Sequence, residues 1–380
     1  MVERGNKVRW LQLLQSSFHK NRDNRTVHSP SYIFVEDNVS DRIETVLGDV
    51  AASVAVLTQK AVLEKIPHVF KRLEEIAESV FSYELPPVPV ARRLMDLSLN
   101  ISRQHPDIIF GIGGGTVLDS AKYVSYLLNL PLILVPTLAS NDGICSPVAS
   151  LFLEEDQRSS IRTKMPYAVL ADKDIILSSP ARYTMAGVGD IISKACALED
   201  WKLSNETTGE EIDYFAWTLS KMAYHSVLHF KDPSLNNKEF IDTLLESLVS
   251  SGIAIEYAGN SRPASGAEHL LSHAVDRLLG YSGIHGLQAG FYTCTVLMAR
   301  DSINYGVVTE FLGNIGFFNH IPRQLFNREL FERALELAPH VRRRFTCLDI
   351  ICPQVLKFAF EETCKHIDRF LSRDSSENGT

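Results

Sequence analysis

Nothing in this 380-residue chain points to an oxidising compartment, a bilayer or a polyanionic partner. It has no CxxC pair and no closely spaced Cys/His ligand set. Its six cysteines, at 145, 196, 294, 347, 352 and 364, read as reduced thiols. No apolar run approaches the roughly 20 residues needed to cross a membrane. A signal peptide is also missing, because the apolar core from Trp10 to Leu14 is too short and gives way to His19, Lys20, Arg22 and Arg25. Basic residues, 38 in all, are outnumbered by 46 acidic ones, and the net charge of −8 gives no reason to expect nucleic acid. The expectation is a soluble, cytoplasmic protein. The chain has no internal repeat and no low-complexity segment apart from its C-terminal end.

What is present is an ordinary globular composition, 45% hydrophobic and 22% charged, in a chain longer than one core usually supports. Two domains are therefore expected. Tyr32 to Val35 and Ser53 to Leu57 read as strands flanking a helical segment from Val39 to Leu47. Pro67 interrupts the next helical region, which resumes over Val69 to Ala77. SYELPPVPV then reads as a turn, and Ala91 to Arg103 as an amphipathic helix. Asp107 to Phe110, Leu132 to Val135 and YAVLAD from Tyr167 add buried strands. Strands alternating with helices imply a doubly wound parallel sheet, a Rossmann-like α/β domain. After Ser178 strand signals become scarce and helical periodicity dominates, so an all-α second domain follows. The boundaries are set at 1–29 for an N-terminal appendage around VRWLQLLQSSF, 30–178 for the α/β domain, 179–372 for the helical domain and 373–380 for a frayed tail. The appendage is expected to be a packed helix or a partly ordered tail rather than a membrane contact.

The richest stretch runs from Asp107 to Ser150. A strand ends in Gly113, Gly114 and Gly115, and a helix starts directly afterwards at Thr116. Residues without Cβ let backbone N–H groups approach an anionic oxygen, and the helix start adds partial positive charge. The triplet is not a GxGxxG fingerprint, and alone it is equally well a tight turn without ligand. A second strand ends at Pro136 and Thr137, followed by the polar set Ser140, Asn141, Asp142 and Ser146. Adjacent strand ends in a parallel sheet place such residues in a ligand crevice. Thr58 and Gln59, at the end of an earlier strand, supply no carboxylate for an adenosine ribose, so the choice between NAD and NADP stays open. In the helical half, VGDIISK carries Asp190, SRPASGAEHLLSHAVD carries His269 and His273, and IHG carries His285. Four residues apart on a helix, His269 and His273 share one face. Each histidine alone is more simply a hydrogen-bonded core or surface residue.

GGGTVLDSAK, VPTLASNDGICSPVAS and the histidine segments together resemble the sn-glycerol-1-phosphate dehydrogenase family, within the superfamily of iron-type alcohol dehydrogenases, glycerol dehydrogenase and dehydroquinate synthase. The likeness covers roughly residues 30 to 350 and implies a dehydroquinate synthase-like fold. It implies that Asp190, His269 and His285 bind one divalent metal, with Zn²⁺ the first choice and Fe²⁺ or Ni²⁺ the others, and that His273 touches substrate. It further implies dinucleotide contacts from Gly113, Gly114, Gly115, Thr116, Val117, Leu118, Asp119, Thr137, Ser140 and Ser146, and a substrate contact from Asp142. The plainer roles for two of these are a first-turn acid on a helix dipole for Asp119 and an Asx-turn before Gly143 for Asp142. A carboxylate with two neutral imidazoles suits such a metal and leaves positions open for a substrate oxygen. Many relatives carry His where this chain has Asn141, a departure that bears on selectivity.

The implied activity is reversible hydride transfer between NAD(P)H and a small phosphorylated ketone. The first choice is dihydroxyacetone phosphate to sn-glycerol 1-phosphate in phospholipid biosynthesis, by a homo-oligomer. A specialised relative acting on another polyol phosphate or ketone stays open. His273, Asp142 or metal-bound water is the candidate proton source. Arg262, Lys194 and Lys164 are candidate phosphate anchors, with Arg262 preferred for its place before the histidine helix. A dehydroquinate-synthase-like cyclase and phosphate lyase, and a non-catalytic binding protein on the same fold, are the alternatives.

Overall fold

The computed structural model describes residues 18–20, 26–48, 52–153, 158–280 and 283–377. They form two compact units, Met1–Pro180 and Ala181–Thr380. Among the described residues no helix is long and apolar enough to cross a membrane.

Unit 1 is built on six parallel strands. In chain order its elements are β1 (Phe18–Lys20), β2 (Thr26–His28), β3 (Tyr32–Glu36), α1 (Arg42–Leu47), β4 (Ser53–Thr58), α2 (Lys60–Lys65), α3 (Pro67–Ile76), β5 (Ser79–Glu84), α4 (Ala91–Ser102), β6 (Ile108–Gly113), α5 (Gly115–Leu128), β7 (Leu132–Pro136), β8 (Val148–Phe152), β9 (Arg158–Arg162), β10 (Ala168–Asp172) and α6 (Lys173–Leu177). The sheet order is β3-β10-β7-β6-β4-β5, every pairing parallel. β6, β7 and β10 are buried at every position, as strands covered on both faces must be, and this is why they read as continuous apolar runs. Edge strand β5, SVFSYE, is only half buried and carries polar residues. The expected turn there is therefore corrected: the first residues of SYELPPVPV complete a strand. The β8–β9 hairpin was likewise absent from the sequence reading, because RSSIR has no apolar alternation to show. Pro67 starts a helix rather than merely interrupting one, since its missing N–H costs nothing at the first helical position.

Of the expected appendage, β1 pairs with β2, while most of VRWLQLLQSSF lies outside the described residues. Unit 2 holds α7 (Ala181–Ile192), α8 (Lys194–Thr208), α9 (Tyr214–Leu228), α10 (Lys238–Ala258), α11 (Ala267–Leu278), α12 (His285–Ala299), α13 (Asn304–Asn314), α14 (Arg328–Val341) and α15 (Pro353–Glu377). α15 was not anticipated, and it carries helix to Glu377, within the segment expected as a tail. Helical periodicity runs on from Ala186 to Leu203, but the structure divides that stretch into two helices that meet at Ser193.

α7 and α12 cross in direct contact, and their glycines are the reason. A Cβ on Gly189 would strike the carbonyl oxygen of Gly286 and come within 2.7 Å of the Phe317 ring. A Cβ on Gly290 would lie 2.8 Å from the Cα of Gly189. Without side chains at these positions the two backbones can touch, which brings Asp190, next to Gly189, towards His285, next to Gly286.

Candidate functional site

In unit 1 the glycine triplet divides into two kinds of position. A Cβ on Gly113 would lie 2.7 Å from Val117, and one on Gly114 would lie 2.7 Å from Leu138, so local packing alone excludes side chains there. A Cβ on Gly115 would meet nothing within 4 Å. Its smallness is not required by the protein's own packing, and it leaves the first turn of α5 bare, as an anion cradle needs. Gly114 caps that helix in an extended conformation, and the N–H groups of Val117 and Leu118 bond back to its carbonyl. The N–H of Thr137 donates to Gly113 O at 3.0 Å, so the turn after β7 is tied to the turn after β6. Thr116 is half-buried, whereas Val117 and Leu118 are core residues, so only their backbone can face a ligand.

The polar turn that follows is held from within. Asn141 Oδ1 accepts from the N–H of Gly143 at 2.8 Å and caps the 3-10 turn Asp142–Ile144, so its side chain has a structural duty. Ser140 and Asp142 are half-buried, while Ser146 is in the interior. Ser146 Oγ lies 3.5 Å from the ammonium of Lys122, a residue the sequence reading passed over although it closes GGGTVLDSAK. Lys122 is 1% exposed, donates to Val148 O at 2.9 Å and sits 3.5 Å from Asp119. Burial pushes the Asp119 carboxyl pKa up, against the opposing pull of Lys122 and Arg158. A buried cation thus links the glycine-turn helix to the polar turn. Its sequence signal is a lysine three residues after Asp119, on a helix that is otherwise mostly apolar. Thr58 is also unavailable to a ribose, because it is fully buried and donates to Ile112 O.

In unit 2, α7, α11 and α12 bring together Asp190, His269 and His285, whose ligand atoms all lie within 4.8 Å of one another. His269 Nε2 stands 3.6 Å from Asp190 Oδ1. His273 stacks on His285 with ring centroids 5.0 Å apart, and lies 6.3 Å from His269. Burial alone would raise the Asp190 pKa, but the ammonium of Lys194, 3.1 Å away, and His269 hold the carboxyl well below the usual range. These surroundings favour the ionised carboxylate, the form in which Asp190 could ligate a metal.

The second nitrogen of each candidate imidazole is already engaged. His269 Nδ1 bonds Glu268 Oε1 at 2.6 Å. His285 Nδ1 lies 3.1 Å from Ser272 Oγ. That hydroxyl donates its one proton to Gln288 Oε1 at 2.8 Å, and Gln288 is oriented by donating to Asp276 at 3.1 Å. Ser272 must then accept from His285, which places the imidazole proton on Nδ1. In both rings the partner sits on Nδ1, the arrangement in which a group behind each histidine fixes its tautomer and aim. A carboxylate and two imidazoles so disposed fit one divalent cation. His273, Asp276 and His285 also approach within 4.8 Å, but Asp276 is engaged by Gln288. The third cluster, Cys196, Asp200 and Glu268, is already served by Arg300 and by the N–H groups of Ala267, Cys347 and Gly266.

The three candidate phosphate anchors all have partners within the protein. Arg262 is 4% exposed and locked by Glu210, by Ser204 Oγ at 3.0 Å and by Phe345 O at 2.8 Å. Lys194 is buried against Asp190, and Lys164 is an exposed residue bonded to Asn129.

Comparison with known proteins supplies the lineage. A profile of the iron-containing alcohol dehydrogenases matches residues 34–180. Glycerol-1-phosphate dehydrogenase [NAD(P)+] from Archaeoglobus fulgidus is 34% identical over 347 residues, covering 88% of this chain and 96% of the relative. The same-named protein from Hyperthermus butylicus is 33% identical over 329 residues, 85% of this chain and 93% of the relative. Among solved structures, glycerol dehydrogenase from Schizosaccharomyces pombe superposes with a TM-score of 0.75 at 18% identity, covering 92% of this chain and 93% of the other, a likeness of fold.

Proposed function

The chain belongs to the glycerol-1-phosphate dehydrogenase family, and from that membership we propose that it reduces dihydroxyacetone phosphate to sn-glycerol 1-phosphate, reversibly and with NAD(P)H. The observation that carries the reading is the convergence of Asp190, His269 and His285 with both Nδ1 atoms engaged. In this reading the three residues hold one divalent cation, Zn²⁺ by preference with Fe²⁺ and Ni²⁺ as the other candidates, since imidazole and carboxylate suit all three. When bound, the cation supplies Lewis acidity towards a ketone oxygen and the nicotinamide supplies hydride.

The chain's own residues do the rest. Glu268 and Ser272 aim the two imidazoles, and Lys194 neutralises Asp190 in the buried interior. His273, half-buried and stacked on His285, is the proposed carrier of a proton to the substrate oxygen, since an imidazole changes charge near neutrality. Asp142 is the proposed substrate contact in unit 1. The bare first turn of α5, with Gly113, Thr116, Asp119, Thr137, Ser140 and Ser146 around it, is the proposed pyrophosphate cradle. We further place the protein in the cytoplasm as a homo-oligomer, in keeping with cysteines that form no disulfide among the described residues.

The test is NAD(P)H absorbance with dihydroxyacetone phosphate, with and without chelator. Chelator-sensitive oxidation is expected. Release of phosphate from a phosphorylated heptulosonate without net loss of NADH would instead establish the cyclase alternative.

A further inference from the structure

The segment that carries Arg262 receives two more guanidiniums from the chain that follows α14. Arg342 Nη1 donates to Ser261 Oγ at 2.7 Å, and Arg344 Nη2 donates to the same oxygen at 2.8 Å. Arg344 Nη1 also donates to the carbonyl of Ser265, four residues before His269. Two cations on one neutral hydroxyl, with Arg262 close by, concentrate positive charge in a half-buried place. Of the carboxylates whose charge reaches Arg344, Glu210 is held by Arg262 and Ser204, while Glu268 bonds His269 and the N–H of Gly266 through Oε1 and keeps an unpartnered Oε2. The acceptors that Arg344 meets are a hydroxyl and a carbonyl, Ser261 Oγ and Ser265 O, neither of which carries a charge. Burial, with the charges of Arg342 and Arg262 and against the opposing pull of Glu268 and Glu210, pushes its pKa down to about 9.

We propose that Arg344, with Arg342 beside it and Ser261 between them, forms an anion site that receives the phosphate of the substrate. Planar guanidiniums suit a phosphate dianion, because each can present two parallel N–H donors to its oxygens. The place also suits the role. Ser265, which Arg344 grips, lies in the segment leading directly into α11, the helix of His269 and His273. An anion at Arg344 would thus be bound beside the start of the helix that carries the candidate metal ligand and proton carrier. The residue that sequence position favoured, Arg262, is the neighbour that cannot serve, since Glu210 has taken its charge.

The proposal rests on the dehydrogenase reading above, so its test must fail separately from that reading. Inorganic phosphate is the first probe. It is expected to raise the melting temperature of the wild type and to inhibit competitively against dihydroxyacetone phosphate, and both effects are expected to vanish in Arg344→Met. The second probe is the split between substrates. Arg344→Met is expected to raise KM for dihydroxyacetone phosphate about 30-fold while leaving turnover of unphosphorylated dihydroxyacetone and metal content unchanged, with Arg344→Lys partly restoring KM. If Arg344→Met does not fold, Arg342→Met is expected to give the same split at smaller size.

Equal losses with both ketones would assign Arg344 a purely structural role and overturn the proposal. So would phosphate stabilisation that persists in both variants, or inhibition that is noncompetitive, which would place the anion away from the substrate. A wild type that is stabilised by phosphate yet never oxidises NAD(P)H with dihydroxyacetone phosphate would overturn the dehydrogenase reading and, with it, the assignment of this anion as substrate.

Discussion

In unit 1 the candidate cradle is backbone left bare by glycine, contained between β6 and the polar turn after β7. In unit 2 the candidate metal site is made of side chains from α7, α11 and α12, far apart in sequence, each held by a partner behind it. The first kind of site depends on what is missing at one helix start. The second depends on charges and on the accuracy of helix contacts, so it should fail to a substitution at any of several distant places.

The largest effect is expected where one side chain serves both purposes. Asp190→Asn keeps the shape of the carboxylate but removes its charge, and with it a metal ligand and the counterion of fully buried Lys194. Metal content should fall to background. Turnover should drop about 1,000-fold, since polarisation by a metal is worth several kcal/mol and each 1.4 kcal/mol is a factor of ten. Removing one partner of a buried pair costs roughly 3 kcal/mol, so the metal-free protein should also melt earlier. Full metal content by elemental analysis would take Asp190 out of the site.

Next comes a substitution that touches no ligand. Gly189→Ala would drive a methyl into Gly286 O and the Phe317 ring, both rigid, and should cost roughly 1–3 kcal/mol while weakening metal binding. Gly306→Ala, in α13 with open space around it, is the control and should be neutral or slightly stabilising. Equal melting temperatures for the two variants would mean that the close crossing of α7 and α12 is not what aims Asp190 at His285.

The same contrast explains what could be read in advance. β6, β7 and β10 announced themselves as apolar runs because a doubly covered strand has no polar face to interrupt the pattern. β5 and β9 did not, because edge and hairpin strands spend alternate positions in water. The glycine turn was visible because its parts are adjacent in the chain. No periodicity could predict that Asp190 meets His285. That pairing came from family resemblance, and the bare glycines in VGD and IHG that make it physically possible carry meaning only once the helix crossing is known. Arg262 shows the same limit, since its partner Glu210 belongs to a different segment. Asn141 likewise has a capping duty, accepting from the N–H of Gly143, that its place in the polar set did not reveal.

A smaller effect separates ligand-driven from fold-driven glycine within unit 1. Gly115→Leu adds a side chain where the protein itself has room, and leucine favours helix, so melting temperature should hold or rise. Binding of NADH should nonetheless weaken about tenfold, or about 1.4 kcal/mol, if that space belongs to the dinucleotide. Gly114→Leu should instead lower the melting temperature through its clash with Leu138. Fluorescence titration and thermal melts on both variants decide the matter, and unchanged NADH affinity in Gly115→Leu would count against the cradle. NADPH should be affected equally, since neither buried Thr58 nor Gln59 offers a carboxylate that could read the ribose.

The smallest effect concerns charge that holds unit 2 together away from its metal site. Burial tends to raise the pKa of Glu210, but hydrogen bonds from Arg262 and Ser204 and the charge of Arg262 outweigh it and leave the pKa below its ordinary value of 4.5. A carboxyl whose folded-state pKa lies below its unfolded one stabilises through its ionised form. That contribution is complete above pH 4.5 and is lost as pH falls through the lower, folded-state value. Glu210→Gln should therefore lower stability at neutral pH by less than about 1 kcal/mol, because a third of the side chain is open to water and the attraction is screened. The gap between wild type and variant should then begin to narrow below pH 4.5 and close as the pH falls through the folded-state value. Thermal melts of metal-free protein across that range, in low and high salt, are the measurement. A gap that stays constant into acid would show that Glu210 holds Arg262 by shape and hydrogen bonding alone. The pairing of Arg262 with Glu210 would then add no charge term to unit 2, and the contrast with unit 1 would rest on its other buried ion pairs and the metal cluster.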